Sequence, residues 1–203
     1  MFPTLTRLWL LLITALFTTI TLAAPLTYRG ADVSMLSEVE RHGGKLLEQG
    51  KEVDAFALLK AHHFNLIRLR LWVDPKSSEG EPYGGGNSDL ASTLALAKRA
   101  KAAGMSLLLD LHYSDFWTDP KHQTKPKAWQ ALSFPALTDQ VERYTRQTVQ
   151  QFVQAGVTPE LVQVGNELNS GMLWPDGKSW GQGGGEFDRL ATLLKAGIRG
   201  VKS

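Results

Sequence analysis

Glu167 closes the run Val164-Gly165-Asn166-Glu167, directly after a short apolar segment. A carboxyl there, beside an amide side chain, suits general acid/base work on a bound polar substrate. Arg68 and Arg70 alternate with leucines in Leu66–Trp72. Period-two geometry puts both guanidinium groups and Trp72 on one face, where they satisfy carboxylates inside a sheet or orient a catalytic one. Asp110 and His112 stand at the end of a third apolar segment, Met105–Leu111. His112 suits a hydrogen-bonding positioner or a proton carrier. No His-Glu-x-x-His pattern or comparable ligand cluster is present, so no metal site is expected. Gly177-Lys178-Ser179 resembles the end of a phosphate-binding loop, but Met172 stands where that loop needs its first glycine.

The tryptophans add a substrate class. Past the first 23 residues they are Trp72, Trp117, Trp129, Trp174 and Trp180, and all but Trp72 fall in long connecting segments. A loop tryptophan at a cleft rim offers a flat apolar platform with a polar edge. Sugars present the matching surface, so a polysaccharide cleft is expected, although such residues also pin loops to a scaffold.

Elements that could position these groups repeat one theme of apolar strand, loop and amphipathic helix. Strands are expected at Tyr28–Val33, Leu66–Trp72, Met105–Leu111 and Leu161–Val164. Helices are expected at 53–62, after the capping residues Asn87-Ser88-Asp89, from Thr138 to the Gly156/Pro159 stop, and at 187–201. Leu90, Leu94 and Ala97 mark the expected buried stripe of the second helix. Four βα units in a row imply an α/β fold with a parallel sheet. A doubly wound sheet and half of a (β/α)8 barrel both fit that count. The connections after strand ends (34–52, 112–137 and 166–186) are long, whereas those returning to the next strand are short. One elaborated face is the mark of a barrel enzyme.

Composition narrows the class further. The chain has 203 residues with 22 Lys plus Arg against 20 Asp plus Glu and no cysteine. That balance, without a basic cluster, argues against a nucleic-acid partner, and the absent cysteine excludes disulfides and thiolate catalysis. Residues 1–23 read as a signal peptide: one positive charge at Arg7, an apolar run diluted by Thr14, Thr18, Thr19 and Thr21, and small residues near the cut. A secreted domain of residues 24–203 is therefore expected, with no membrane contact in its mature form and no cofactor.

Several blocks together resemble glycoside hydrolase family 53. They are Gly30-Ala31-Asp32-Val33-Ser34, Ile67–Pro75, Leu109–Pro120, Gln123–Trp129 and Val164–Leu168, with Gly171-Met172-Leu173-Trp174-Pro175 following. The resemblance implies a (β/α)8 barrel, here its first four units, and endo-acting cleavage of β-1,4-galactan in the (arabino)galactan side chains of pectin. It implies Glu167 as acid/base, Asn166 as the amide on the sugar 2-hydroxyl, and Arg70 as orienter of the nucleophile. Asp32, Trp72, Asp110, His112, Asp115, Trp117, Trp129 and Trp174 would line the cleft. It also implies retention, which needs a second carboxylate about 5–5.5 Å from the first. In the resembling enzymes that residue ends strand seven, so this chain alone is expected to be inactive and to self-associate through open sheet edges. A non-catalytic galactan-binding half barrel, and a related barrel glycosidase acting on another β-linked polymer, are the alternatives.

Overall fold

A computed structural model describes residues 26–181 and 186–203. The expected signal peptide lies outside the described residues. Four parallel strands form the main sheet in the order β1-β4-β5-β6: β1 is Gly30–Asp32, β4 Leu66–Leu71, β5 Ser106–Leu111 and β6 Leu161–Val164. Each successive pair is joined through a helix, namely α2 (Ala55–Ala61), α3 (Leu90–Ala102) and α4 (Phe134–Gln154), and α5 (Glu186–Lys202) follows β6. This is the arrangement of βα units expected from the sequence.

Alternation in the central strands divides the two faces. Ile67, Leu69 and Leu71 of β4 and Leu107, Leu109 and Leu111 of β5 are fully buried. They share one apolar core with Leu96 and Ala97 of α3, Leu137, Val141 and Phe152 of α4, and Leu193 and Ala196 of α5. Burying each large aliphatic side chain is worth about 1.5–3 kcal/mol, and that stabilisation fixes which way the intervening residues point. Arg68, Arg70 and Asp110 are therefore turned to the opposite face, the concave interior of the sheet.

Helix boundaries follow their caps. Asp54 begins α2 by accepting from the backbone of Phe56 and Ala57, and Asp89 begins α3 by accepting from Ser92 at 2.8 Å. The α3 stripe is rotated from the expected one: Thr93, Leu96, Ala97 and Ala100 are buried, while Leu90 and Leu94 are only partly covered. Helix α4 starts at Phe134, four residues before the expected Thr138. Ser133 takes the cap position and Pro135 sits in the first turn, where its missing N–H is not needed.

Two stretches expected as plain loops carry structure. Between Ser34 and Glu52 lie α1 (Leu36–Arg41) and the hairpin β2–β3 (Leu46–Glu48, Lys51–Val53). Its turn, Gln49-Gly50, has positive φ at both residues, as a two-residue hairpin demands. After β6, a second hairpin pairs β7 (Gly171–Met172) with β8 (Gly177–Lys178). No helix among the described residues is long and apolar enough to cross a membrane.

Candidate active site

At the concave face, Arg68 is the centre of a polar network. Its guanidinium donates to Asp32 Oδ2 at 2.5 Å, Asp110 Oδ2 at 2.5 Å and Asn166 Oδ1 at 2.8 Å. Three strands are thereby tied through one side chain, and Arg68 fixes the rotamer of the residue preceding Glu167. The Asn166 amide is completed by Nδ2 donating to Thr118 O at 2.7 Å. An arginine on one side and a carbonyl on the other determine which end of the amide is oxygen.

His112 extends this network. The Thr118 backbone N–H donates to its Nδ1 at 3.1 Å, so the neutral ring carries its proton on Nε2. Nε2 lies 3.0 Å from Asp110 Oδ2 but is out of line for a hydrogen bond. Both residues are fully buried. Arg68 and Asp110 set opposed charges together in this network, with Asp110 and His112 removed from solvent.

Arg70 differs from Arg68. It is buried, with Nε 3.6 Å from Asp32 Oδ1, and its Nε and Nη1 have no hydrogen-bond acceptor. Burial pulls its guanidinium below the usual value, opposed by the charge of Asp32. The Arg70 guanidinium also lies 4.0 Å from the centre of the Trp117 ring. Its Nε and Nη1 are closed off from solvent and left unpaired. Asp32 itself is partly covered. Burial raises its carboxyl, but hydrogen bonds from Ser34 and the charges of Arg70 and Arg68 outweigh this and hold it below the ordinary carboxylate range.

Glu167 follows β6 in the left-handed backbone region, φ 50° and ψ 53°. A non-glycine residue pays of order 1 kcal/mol for that conformation, which is tolerated where surrounding contacts enforce it. Gln123 supplies them: its Nε2 donates to Asn166 O at 2.8 Å, Glu167 O at 3.3 Å and Asp119 O at 3.1 Å. The Glu167 side chain is exposed, and its carboxylate makes no hydrogen bond or ion pair among the described residues. A free carboxyl on a clamped backbone is available to a ligand. In the sequence Gln123 has no signature of its own, because a buried amide bridging two loops leaves no local pattern.

The other expected cleft residues divide by burial. Trp117 is 41% exposed, and Trp174 is half-buried with its Nε1 donating to Ser170 O at 2.8 Å. Trp180, absent from the expected lining, is 53% exposed and stands perpendicular to Trp174 with ring centres 6.0 Å apart. Trp72 and Trp129 are buried: Trp72 packs on Phe116, and Trp129 on Tyr144. These two support the rim and present no open platform. Asp115 accepts from Asp74 N at 3.0 Å and Lys127 N at 2.8 Å, joining two loops. Burial raises its carboxyl against the lowering effect of those two N–H groups. Among the described residues no group of three or more His, Cys, Asp or Glu side chains could hold a metal ion.

Four parallel βα units, with polar chemistry gathered at the C-terminal ends of the strands, define part of a (β/α)8 barrel whose long loops carry the site. The sequence matches the family profile "Glycosyl hydrolase family 53" over residues 28–203, and the chain belongs to that family. It is 39% identical to an endo-beta-1,4-galactanase of Bacillus subtilis, covering 86% of this chain and 39% of that protein. To the arabinogalactan endo-beta-1,4-galactanase A of Aspergillus niger it is 41% identical, over 89% of this chain and 48% of that protein. The structure matches the Ignisphaera aggregans GH53 catalytic domain with a TM-score of 0.80 and 43% identity, covering 86% of this chain and 47% of that one. The chain thus spans about half the length of the curated relatives it matches.

Proposed function

We propose that residues 24–203 form the acid/base half of a secreted, retaining endo-β-1,4-galactanase acting on (arabino)galactan side chains of pectin. The observation that carries this reading is the free carboxyl of Glu167 at the end of β6, beside an Asn166 amide locked by Arg68 and Thr118. Glu167 protonates the departing glycosidic oxygen and then activates the water that releases the product. Asn166, with Oδ1 and one Nδ2 proton engaged, offers its other Nδ2 proton to a sugar hydroxyl. Arg70, beside Asp32 and under Trp117, orients the second carboxylate. His112 and Asp110 hold Arg68 and Asn166 in place, and Trp117 and Trp174 line the cleft. The similarity to proteins named galactanases supports galactan as the substrate.

In this reading the second carboxylate belongs to a further βα unit, so residues 24–203 alone do not hydrolyse galactan. Residues 1–23 act as a leader that is removed on export. The test uses a chain carrying these residues within all eight βα units. There, Glu167→Ala lowers hydrolysis of β-1,4-galactan by about 100-fold or more, within the usual range for losing a general acid. It lowers cleavage of an aryl galactoside with an activated leaving group far less, because that group departs without a proton. Equal losses on both substrates overturn the assignment.

A further inference from the structure

The Glu167 carboxyl makes no contact of its own among the described residues, so its direction is set from the backbone, which stands at φ 50°. The carbonyls of Asn166 and Glu167 accept from one side chain among the described residues, Gln123, at 2.8 and 3.3 Å. The same Nε2 donates to Asp119 O at 3.1 Å. Three carbonyl oxygens around one end of the amide make that end the nitrogen, because an oxygen turned there would meet acceptors alone. Gln123 Oε1, at the other end, is buried without a partner. Leaving such an acceptor unpaired is costly, so the donor end decides how the amide lies.

Gln123 lies where the β5–α4 and β6–α5 connections run side by side, and the two are fastened without its amide. Its backbone carbonyl accepts from Trp174 N at 2.7 Å, and Ser170 Oγ donates to Pro120 O at 2.6 Å. Lys125 pairs with Asp176 at 2.8 Å, both largely covered. These links between residues 120–125 and 170–176 need no side-chain amide at position 123. What the amide adds is a grip on residues 166 and 167, at the point where the Glu167 side chain departs. A non-glycine residue in the left-handed region depends on such a grip, because extended and right-handed conformations lie lower in energy.

We propose that Gln123 is a positioning residue for the acid/base: its amide holds the Glu167 backbone in the left-handed turn that aims the carboxyl at the departing glycosidic oxygen. The proposal rests on the acid/base reading of Glu167. Gln123 itself is 1% exposed, so it acts through the backbone at residues 166 and 167 and not on the substrate. Displacing a reacting group by about 1 Å costs a rate factor of about 100, which is the scale on which a loosened turn would act.

The test uses a chain carrying these residues within all eight βα units and the variant Gln123→Met, which keeps the length of the side chain without its donors. On β-1,4-galactan kcat falls about 10–100-fold while KM changes by about threefold at most. Cleavage of an aryl galactoside with an activated leaving group falls far less. Added to Glu167→Ala, Gln123→Met costs less than about twofold more, because no carboxyl is left to aim. Gln123→Glu serves where Gln123→Met fails to fold: its carboxyl donates one hydrogen bond when protonated and none when ionised. Its kcat relative to the parent therefore recovers as pH falls. A role confined to fastening loops gives equal losses on both substrates, a full further loss in the Glu167→Ala background, and a ratio for Gln123→Glu that does not change with pH. Each of those results overturns the proposal, as does an unchanged kcat in Gln123→Met. Where Glu167→Ala alone loses equally on both substrates, the acid/base reading has failed. Where Glu167→Ala discriminates between them and Gln123→Met does not, the positioning role alone has failed.

Discussion

Arg68 and Arg70 are two residues apart on one strand and do different work. Arg68 spends its donors on Asp32, Asp110 and Asn166, whereas Arg70 holds two donors unspent beside a single half-covered carboxylate. Asp32 is the shared partner, and its lowered carboxyl makes a statement about pH. Because the folded value lies below the unfolded value of about 3.9, its contribution is present above that value and is lost as pH falls through the folded one. Asp32→Asn should therefore be less stable than the parent at pH 7, by up to about 1 kcal/mol given its partial exposure. The two should converge as pH drops toward 2. Urea unfolding followed by circular dichroism between pH 2 and pH 7 measures the difference, and a gap that widens in acid would contradict the ion-pair role.

At the scale of elements, α5 crosses closely over α4. A Cβ at Gly200 would come 2.5 Å from Glu142 O and 2.7 Å from Thr145 Cβ, both on α4. Alanine is favoured over glycine in a helix by about 1 kcal/mol, so propensity alone predicts that Gly200→Ala stabilises. The backbone oxygen cannot retreat as a flexible side chain could, and overpacking of this kind costs about 1–3 kcal/mol. The variant should lose about 1–2 kcal/mol in urea unfolding, and a gain would show that α4 and α5 separate freely. This crossing was not legible in the sequence, where Gly197 and Gly200 look like weak points in a helix. The elements themselves were legible wherever apolar periodicity was strong, as in Leu66–Leu71 and in the body of α4. Two features have weak signals in the sequence: the β2–β3 hairpin, whose strands are only three residues each, and the Gln123 bridge, which depends on a contact 43 residues along the chain. The site followed the same division. Arg70 could be placed by alternation, and Glu167 and His112 by standing at the ends of apolar segments, but burial of Trp72 and Trp129, against exposure of Trp117, was decided by loop packing.

The whole molecule is a four-stranded parallel sheet in which β1 pairs only with β4, and β6 only with β5, among the described residues. Edge strands present unpaired N–H and C=O groups that readily accept another strand. The flanks of these edges are apolar as well. Beside β1, Met35, Val39, Leu46 and Leu47 are exposed; on the α4 and α5 side of β6, Val153 and Ile198 are exposed. Two copies related by a two-fold axis could set the β6 edge of each against the β1 edge of the other, closing an eight-stranded ring with all strands parallel. Such contacts are isologous overall and self-limiting, whereas unmatched edges would grow without limit. Residues 24–203 at tens of micromolar should therefore elute as a dimer or larger species in size-exclusion chromatography with light scattering. Introducing lysine at Leu161, a half-buried position on β6, should shift them toward monomer, because a charge on an edge strand opposes pairing. A parent chain that stays monomeric at the highest concentration would show that α1, the β2–β3 hairpin and the ends of α4 and α5 suffice to shield both edges.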